Sequence, residues 1–312
     1  MNAPLPAHHQ AHRFDSIERL DIRKLRTTEP PPLDHLWQGG PLGGTVGAVV
    51  SRGGVGKSFV ALGVAFAVTT GGQFDPLALH PKAGGRVVIA SLEDPDRIIH
   101  PRLFSYLKRC APRAAEQIDE GLDIYPLAGQ GGLRLAQDLM DTDYLIRIAE
   151  GARLLIIDTL VRAHQLNEND NGAMAGVVAQ LEIVARETGA SVLYLHHAAK
   201  FSGSKEKDGG SDDAAMARGA SSLIDNARWC WTLRVMSEPE AKVFSEARGG
   251  KSITDDERSD RKDFLLVTPA KNNYGPMGSP FWLARGEGGG LWKAELFPAA
   301  IFKDEKGDKN EG

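Results

Sequence analysis

The stretch Thr45-Val46-Gly47-Ala48-Val49-Val50-Ser51-Arg52-Gly53-Gly54-Val55-Gly56-Lys57-Ser58 decides the fold. Its first half is a short apolar run that reads as a buried strand. Its second half is a glycine-rich turn closed by Lys-Ser. Phe59-Val60-Ala61-Leu62-Gly63-Val64-Ala65-Phe66 then continues as a helix. Strand, glycine turn, Lys-Ser and helix together form the context of a phosphate-binding loop. Gly53, Gly54 and Gly56 let backbone N–H groups converge on phosphate oxygens without Cβ clashes. The helix N-terminus adds a partial positive charge. Lys57 is expected to reach the β- and γ-phosphates of ATP, and the Ser58 hydroxyl to hold Mg²⁺. Val55 and Phe59 complete the stretch expected to surround the nucleotide. Ser51 stands where the general pattern has glycine.

Outward from this loop the chain alternates apolar runs with helical stretches. Strands are expected over 46–50, 86–91, 154–158 and 191–196, and helices over 57–69, 96–108, 141–150 and 174–188. That alternation predicts an α/β fold with a mostly parallel central sheet and crossover helices. Beyond residue 226 the runs 228–236, 263–270 and 280–283 read as strands without long helices between them, so an antiparallel extension of the sheet is expected. Residues 237–262 read as an exposed helical turn plus loop. Three segments follow: a flexible extension with a proline linker (1–32, with a short amphipathic helix within 14–26), a core domain (33–302), and a charged tail (303–312).

The ends of the strands carry the chemistry, because ligands of open α/β sheets gather at strand carboxyl ends. Glu93 follows the second strand and is the candidate to orient or deprotonate the attacking water. Asp94, just before Pro95, suits a helix cap. Asp158 ends the run Leu154-Leu155-Ile156-Ile157 and is the candidate Mg²⁺ carboxylate. His196 and His197 end the fourth strand. One of them is expected to sense the γ-phosphate and the other to pack. Adjacent strand residues point to opposite faces, so joint metal chelation is disfavoured. Arg218, where a loop re-enters the sheet, can reach a phosphate in its own subunit or a neighbour's, or can pair with local acids.

The 312 residues are 42% hydrophobic and 25% charged, with a formal net charge of −4. Such a balance provides no global attraction to nucleic acid or membrane. The two cysteines, Cys110 and Cys230, form no disulfide framework or metal-ligand spacing, so a cytoplasmic location is expected. No apolar run approaches the ~18 residues that span a bilayer, and no signal core opens the chain. The loops 162–174 and 199–216 are polar and acid-leaning. Either can line a pore or simply be solvated.

With these motifs in order, the chain resembles the RepA hexameric replicative helicases of broad-host-range plasmids, a RecA-like ATPase group related to DnaB-type helicases. The similarity runs from Pro30-Pro31-Pro32-Leu33-Asp34 to Tyr274-Gly275. It includes the Ser51-first phosphate loop, Glu93-Asp94-Pro95, His100-Pro101-Arg102-Leu103, Asp158-Thr159-Leu160, His196-His197-Ala198, Arg218-Gly219 and Lys271-Asn272-Asn273-Tyr274-Gly275. The resemblance implies a homohexamer with ATP sites between neighbours. Glu93 would be the catalytic base, Asp158 would sit on Mg²⁺, and a histidine of the 196–197 pair would be the sensor. Arg218 would act on the neighbour's ATP, and Arg102 matches an arginine near the site. The loops 162–174 and 199–216 would face the channel and grip single-stranded DNA.

Two departures stand out. Where DnaB-type sequences offer Lys-x-Arg after the late strand, this chain has Lys271-Asn272-Asn273, which shifts the finger role to Arg218. Lys271 and Tyr274 are expected to reach the nucleotide at the same interface. The N-terminal extension, the second departure, can strap onto a neighbouring subunit. The implied function is an ATP-driven helicase of plasmid or mobile-element replication. The same ATP-site residues also suit a RecA-like ATPase that does not unwind DNA, acting as a recombination mediator or regulatory switch. A kinase built on this loop would need an acceptor pocket and usually lacks a carboxylate placed like Glu93.

Overall fold

The structure, a computed structural model, describes residues 17–198 and 221–300. Expectations placed on residues 1–16, on Arg218 and the loop 199–216, and on the tail from 303 lie outside the described residues. Contacts divide the chain into two units, 1–34 and 35–312. In the first, Asp21 caps a six-residue helix, α1 (Ile22–Thr27), by accepting from the N–H groups of Arg23 and Lys24. All of α1 is exposed, and the helix is shorter than the 14–26 stretch suggested.

The second unit runs in chain order through β1 (Val46–Ser51), α2 (Lys57–Thr70), β2 (Val87–Ser91), α3 (Asp96–Leu107), α4 (Pro112–Gly121) and β3 (Leu122–Pro126). It continues through α5 (Leu139–Ala149), β4 (Leu154–Asp158), α6 (Asn171–Thr188), β5 (Ser191–His197), α7 (Ser221–Asn226), β6 (Trp229–Val235) and α8 (Glu238–Val243). It ends with β7 (Phe244–Ser245), β8 (Phe264–Asn272), β9 (Phe281–Arg285), β10 (Leu291–Ala294) and β11 (Phe297–Pro298). Nine strands form one sheet in the order β10-β9-β8-β6-β1-β5-β4-β2-β3, and β7 and β11 form a separate ribbon. Pairings from β3 across to β6 are parallel, and β8, β9 and β10 add on antiparallel.

Alternation along the strands explains two layers of core. Val46, Ala48 and Val50 face one side, where Leu145 of α5 and Leu181 of α6 are buried. Val49, Ile89 and Ile156 face the other, against Val64 of α2, Tyr106 of α3 and Ile118 of α4. β4 is apolar and buried along its whole length before Asp158, as a central parallel strand demands. Each such fully buried Leu or Ile is worth about 1.5–3 kcal/mol relative to exposure. α2 is buried nearly all round. A Cβ added at its Gly63 would lie 2.8 Å from Leu77, so only glycine permits that approach.

Three differences from expectation have physical causes. β6 pairs parallel with β1 (Gly47 with Trp229, Ser51 with Leu233) rather than opening the antiparallel extension. The chain returns to it through α7, whose Leu223 and Ile224 are buried in the core, so β6 runs in the crossover sense. β3 and β10 escaped notice because both are short sheet-edge strands with mostly half-buried residues. α6 begins at Asn171 rather than 174, because Asp170 caps it by accepting from the N–H groups of Gly172 and Ala173. No described helix is long and apolar enough to cross a membrane.

Candidate active site

The register of the sheet assembles the site. Ser51 at the end of β1 pairs with His197 at the end of β5, and Ser91 of β2 pairs with Asp158 of β4. The phosphate loop leaves β1 at this edge. Gly54 (φ +76°) and Gly56 (φ +125°) adopt backbone conformations that residues with a Cβ avoid. A Cβ added at Gly54 would meet nothing within 4 Å, so open space lies over the loop. Gly56 caps α2, and Lys57 and Ser58 form the helix's first turn. A cleft of about 220 Å³ lies against them, and Gly54, Lys57, Ser58, Glu93, Arg102 and His197 contribute to its lining.

Lys57 is buried and held by four acceptors. Its Nζ donates to the Ser51 carbonyl (3.3 Å), Ser51 Oγ (3.1 Å), the Arg52 carbonyl (3.2 Å) and His197 Nδ1 (3.0 Å). Ser51 therefore supplies a side-chain acceptor that glycine would lack. Burial pulls the Lys57 ammonium down to about 8, opposed by the charges of Asp158 and Glu93. A protonated Lys57 only donates, so His197 Nδ1 accepts and its proton sits on Nε2. That Nε2 lies 3.6 Å from Glu93 Oε2, and Thr159 Oγ1 donates to the same carboxylate oxygen at 3.2 Å. Lys57, His197 and Glu93 thus lie in a row from the loop to the candidate base, the last step of 3.6 Å being longer than a hydrogen bond.

His196 points to the other side of the strand. It is buried with Nδ1 unpartnered, and burial with nearby positive groups pulls it down to about 4. Of the pair, His197 is the one at the cleft.

Asp158 is buried and receives a hydrogen bond from the Ser58 hydroxyl, while its Oδ1 is without a partner. Burial raises it to about 6, and the carboxylates of Asp94 and Glu93 add to the rise. An orphaned carboxylate oxygen beside a serine hydroxyl is a hard oxygen donor set that fits Mg²⁺. Among the described residues no group of three or more His, Cys, Asp or Glu side chains gathers as a metal site.

Arg102 reaches the cleft from α3. It pairs with Asp94 at 2.5 Å and stacks over Phe59, 5.6 Å from the ring centroid. Asp94 is therefore an ion-pair partner rather than a helix cap. Pro95 occupies the cap position without a side-chain cap bond.

The structure does not bring Lys271 and Tyr274 to this cleft. β8 runs antiparallel to β6, so Asn272 pairs with Trp229, at the end of the sheet away from the phosphate loop. Lys271 Nζ instead caps α7, donating to the carbonyls of Ile224 (3.2 Å) and Asp225 (2.6 Å). Tyr274 is exposed. The loop 162–174 is partly packed down, with Ala163, His164 and Met174 buried. Its exposed stretch 167–172 carries Glu168 and Asp170 and no basic residue. Two cleft residues had no signal in the sequence. Thr159 is legible only as the neighbour of Asp158, and Arg285 at the end of β9 lies far along the chain from every motif.

Two solved structures and one family are similar to this chain. The solved ATPase domain of G40P is 18% identical over 80% of this chain and 85% of its own length, with a TM-score of 0.49. A DnaB-like replicative helicase, solved in a study of its interactions with primase, is 19% identical over 81% of this chain, with a TM-score of 0.52. This chain spans 58% of that helicase chain, and the likeness shows a shared fold. Residues 10–203 match the family described as the AAA domain. With its phosphate loop, its mostly parallel sheet and that match over more than half its length, the chain belongs to the AAA-domain family.

Proposed function

We propose that this chain is the ATP-hydrolysing subunit of a ring-forming DNA helicase or translocase of plasmid or mobile-element replication. The row Lys57–His197–Glu93 at the mouth of the phosphate loop carries the reading. In it, Lys57 and the loop N–H groups hold the ATP phosphates. Glu93 orients the attacking water and takes its proton, held by Thr159 with His197 beside it. Ser58 and Asp158 would hold Mg²⁺, which would supply neutralisation of phosphate charge. His197 stands between the phosphates and Glu93, where arrival or loss of the γ-phosphate changes its partners.

Lys271 and Tyr274, away from this chain's own cleft, would serve a neighbour's site, as would Arg218 by the resemblance, and a ring would supply that neighbour. AAA-domain membership and the fold shared with a DnaB-like replicative helicase support this reading. Its test is ATP hydrolysis with and without single-stranded DNA, strand displacement on a forked substrate, and native mass with ATP. A purified chain that hydrolyses no ATP with Mg²⁺ present would falsify it.

The absence of basic residues in the exposed stretch 167–172 favours a second reading, an ATPase that assembles on ATP without unwinding. Hydrolysis and assembly without strand displacement would select it.

A further inference from the structure

Arg285 lines the cleft beside Gly54, Gly56 and Lys57. The topology puts it there. β8 starts on the phosphate-loop side of the sheet, and β9 returns antiparallel to it, pairing Ala284 with Phe264. Arg285, one residue on, therefore comes back to the loop. Its Nη2 donates to the Val55 carbonyl at 3.1 Å, inside the phosphate loop, and its Nη1 to the Gly289 carbonyl at 3.4 Å. A Cβ on Gly56 would lie 3.4 Å from that Nη2. Among the described residues Arg285 has no carboxylate partner, whereas Arg102 is paired with Asp94.

The mount is rigid. Glu287, in the turn after β9, pairs with Lys108 at 2.7 Å. Tyr106 Oη accepts from the Leu291 N–H at 2.8 Å and donates to the Phe59 carbonyl at 2.9 Å. Gly289 (φ +88°) presses on the loop helix so closely that a Cβ there would lie 2.8 Å from the Phe59 ring. The turn is thus fastened both to α3 and to the residue that follows Ser58.

A guanidinium has five N–H donors in a planar fork suited to phosphate oxygens. Here it meets two neutral carbonyls, one at long range. An arginine–phosphate pair adds opposite charge and a bidentate fit that a neutral carbonyl lacks. We propose that Arg285 is a same-chain ligand of the nucleotide polyphosphate, exchanging the Val55 carbonyl for phosphate oxygens when nucleotide binds. The proposal rests on the ATPase reading and deepens it. Part of the phosphate affinity then belongs to the single subunit and does not wait for a neighbour.

The test is calorimetric titration of the full chain with ATP and Mg²⁺, at concentrations below assembly, for wild type, Arg285→Lys and Arg285→Gln. Lysine keeps the charge without the fork, and glutamine, two bonds shorter, removes the charge and gives up the Val55 contact. Melting temperatures without nucleotide, measured for all three, show whether each variant keeps its fold after giving up those carbonyl contacts. ATP affinity should fall at least about tenfold in the glutamine variant and less in the lysine variant. A glutamine variant that binds within about twofold of wild type overturns the role of Arg285 and leaves the ATPase reading standing. A wild type that binds no ATP sinks both.

If the variants do not fold, wild-type protein is treated with an arginine-specific dicarbonyl and mapped by mass spectrometry. ATP with Mg²⁺ should protect Arg285, and unchanged modification there overturns the proposal.

Discussion

Lys57 Nζ and His197 Nδ1 meet at 3.0 Å, joining the phosphate loop to the end of the neighbouring strand β5. The histidine is one of the acceptors that hold the buried ammonium. A γ-phosphate, a stronger acceptor, would draw Lys57 away. His197 would then be left with Glu93, 3.6 Å from its other nitrogen. Replacing His197 by alanine should leave ATP binding within a few-fold and lower turnover on the order of 100-fold, because Glu93 loses a positioning contact. Steady-state hydrolysis beside a direct binding titration checks it. Unchanged turnover would show that His197 only packs.

Glu93 is held by Thr159 at 3.2 Å while its carboxylate remains half exposed to the cleft. Glu93→Gln keeps the shape and removes the base. Turnover should drop by roughly 10²–10⁴ with ATP affinity little changed. Loss of binding together with turnover would mean that Glu93 supports the loop.

Asp158 is an anion in a buried site, raised from its ordinary 3.8 to about 6. At ~1.4 kcal/mol per pH unit, keeping it ionised costs the fold up to roughly 3 kcal/mol above pH 6. Asp158→Asn should therefore raise the melting temperature of the nucleotide-free chain at pH 8 and abolish Mg²⁺-dependent hydrolysis. In the wild type, Mg²⁺ affinity should climb as pH rises through about 6, because only the carboxylate binds the cation. Melting curves of the two proteins with and without Mg²⁺ decide both points.

His196 works in the opposite direction. Its ordinary 6.5 is pulled to about 4, so the unfolded chain takes up a proton that the folded chain refuses. The stability it contributes is complete above 6.5 and disappears as pH falls through 4. Asp158 regains its own cost over about 6 to 3.8 and masks part of this loss. In an Asp158→Asn background the acid loss should be visible, and adding His196→Gln should flatten it. An acid limb that the second change leaves unaltered would exclude His196 as its cause.

Local signals carried much of the fold into view. Val46–Val50 and Leu154–Asp158 are short apolar runs between turn residues, and their burial on both faces leaves no polar residues to blur them. Asp158 and His197 close such strands, Glu93 follows one by two residues, and Lys57 and Ser58 close the glycine turn after β1, so naming the strand places the residue. The direction of β6 was hidden, because strand direction is decided by the returning connection and not by its apolar pattern. Lys271 could be recognised beside Asn272 and Asn273, but only the register with Trp229 shows that it lies at the far edge. Arg285 depends on two antiparallel returns, and no spacing in the chain encodes that position.

The helix behind the phosphate loop has one further consequence. α2 is enclosed on nearly every side, and Gly63 touches Leu77 with no space to slide. Tightly filled interiors switch between discrete packings instead of yielding gradually. The loop is therefore an anvil. Any movement that nucleotide drives is then expected in what surrounds it, the tips of β4 and β5, where Thr159 bonds Glu93 and His197 stands 3.6 Å away.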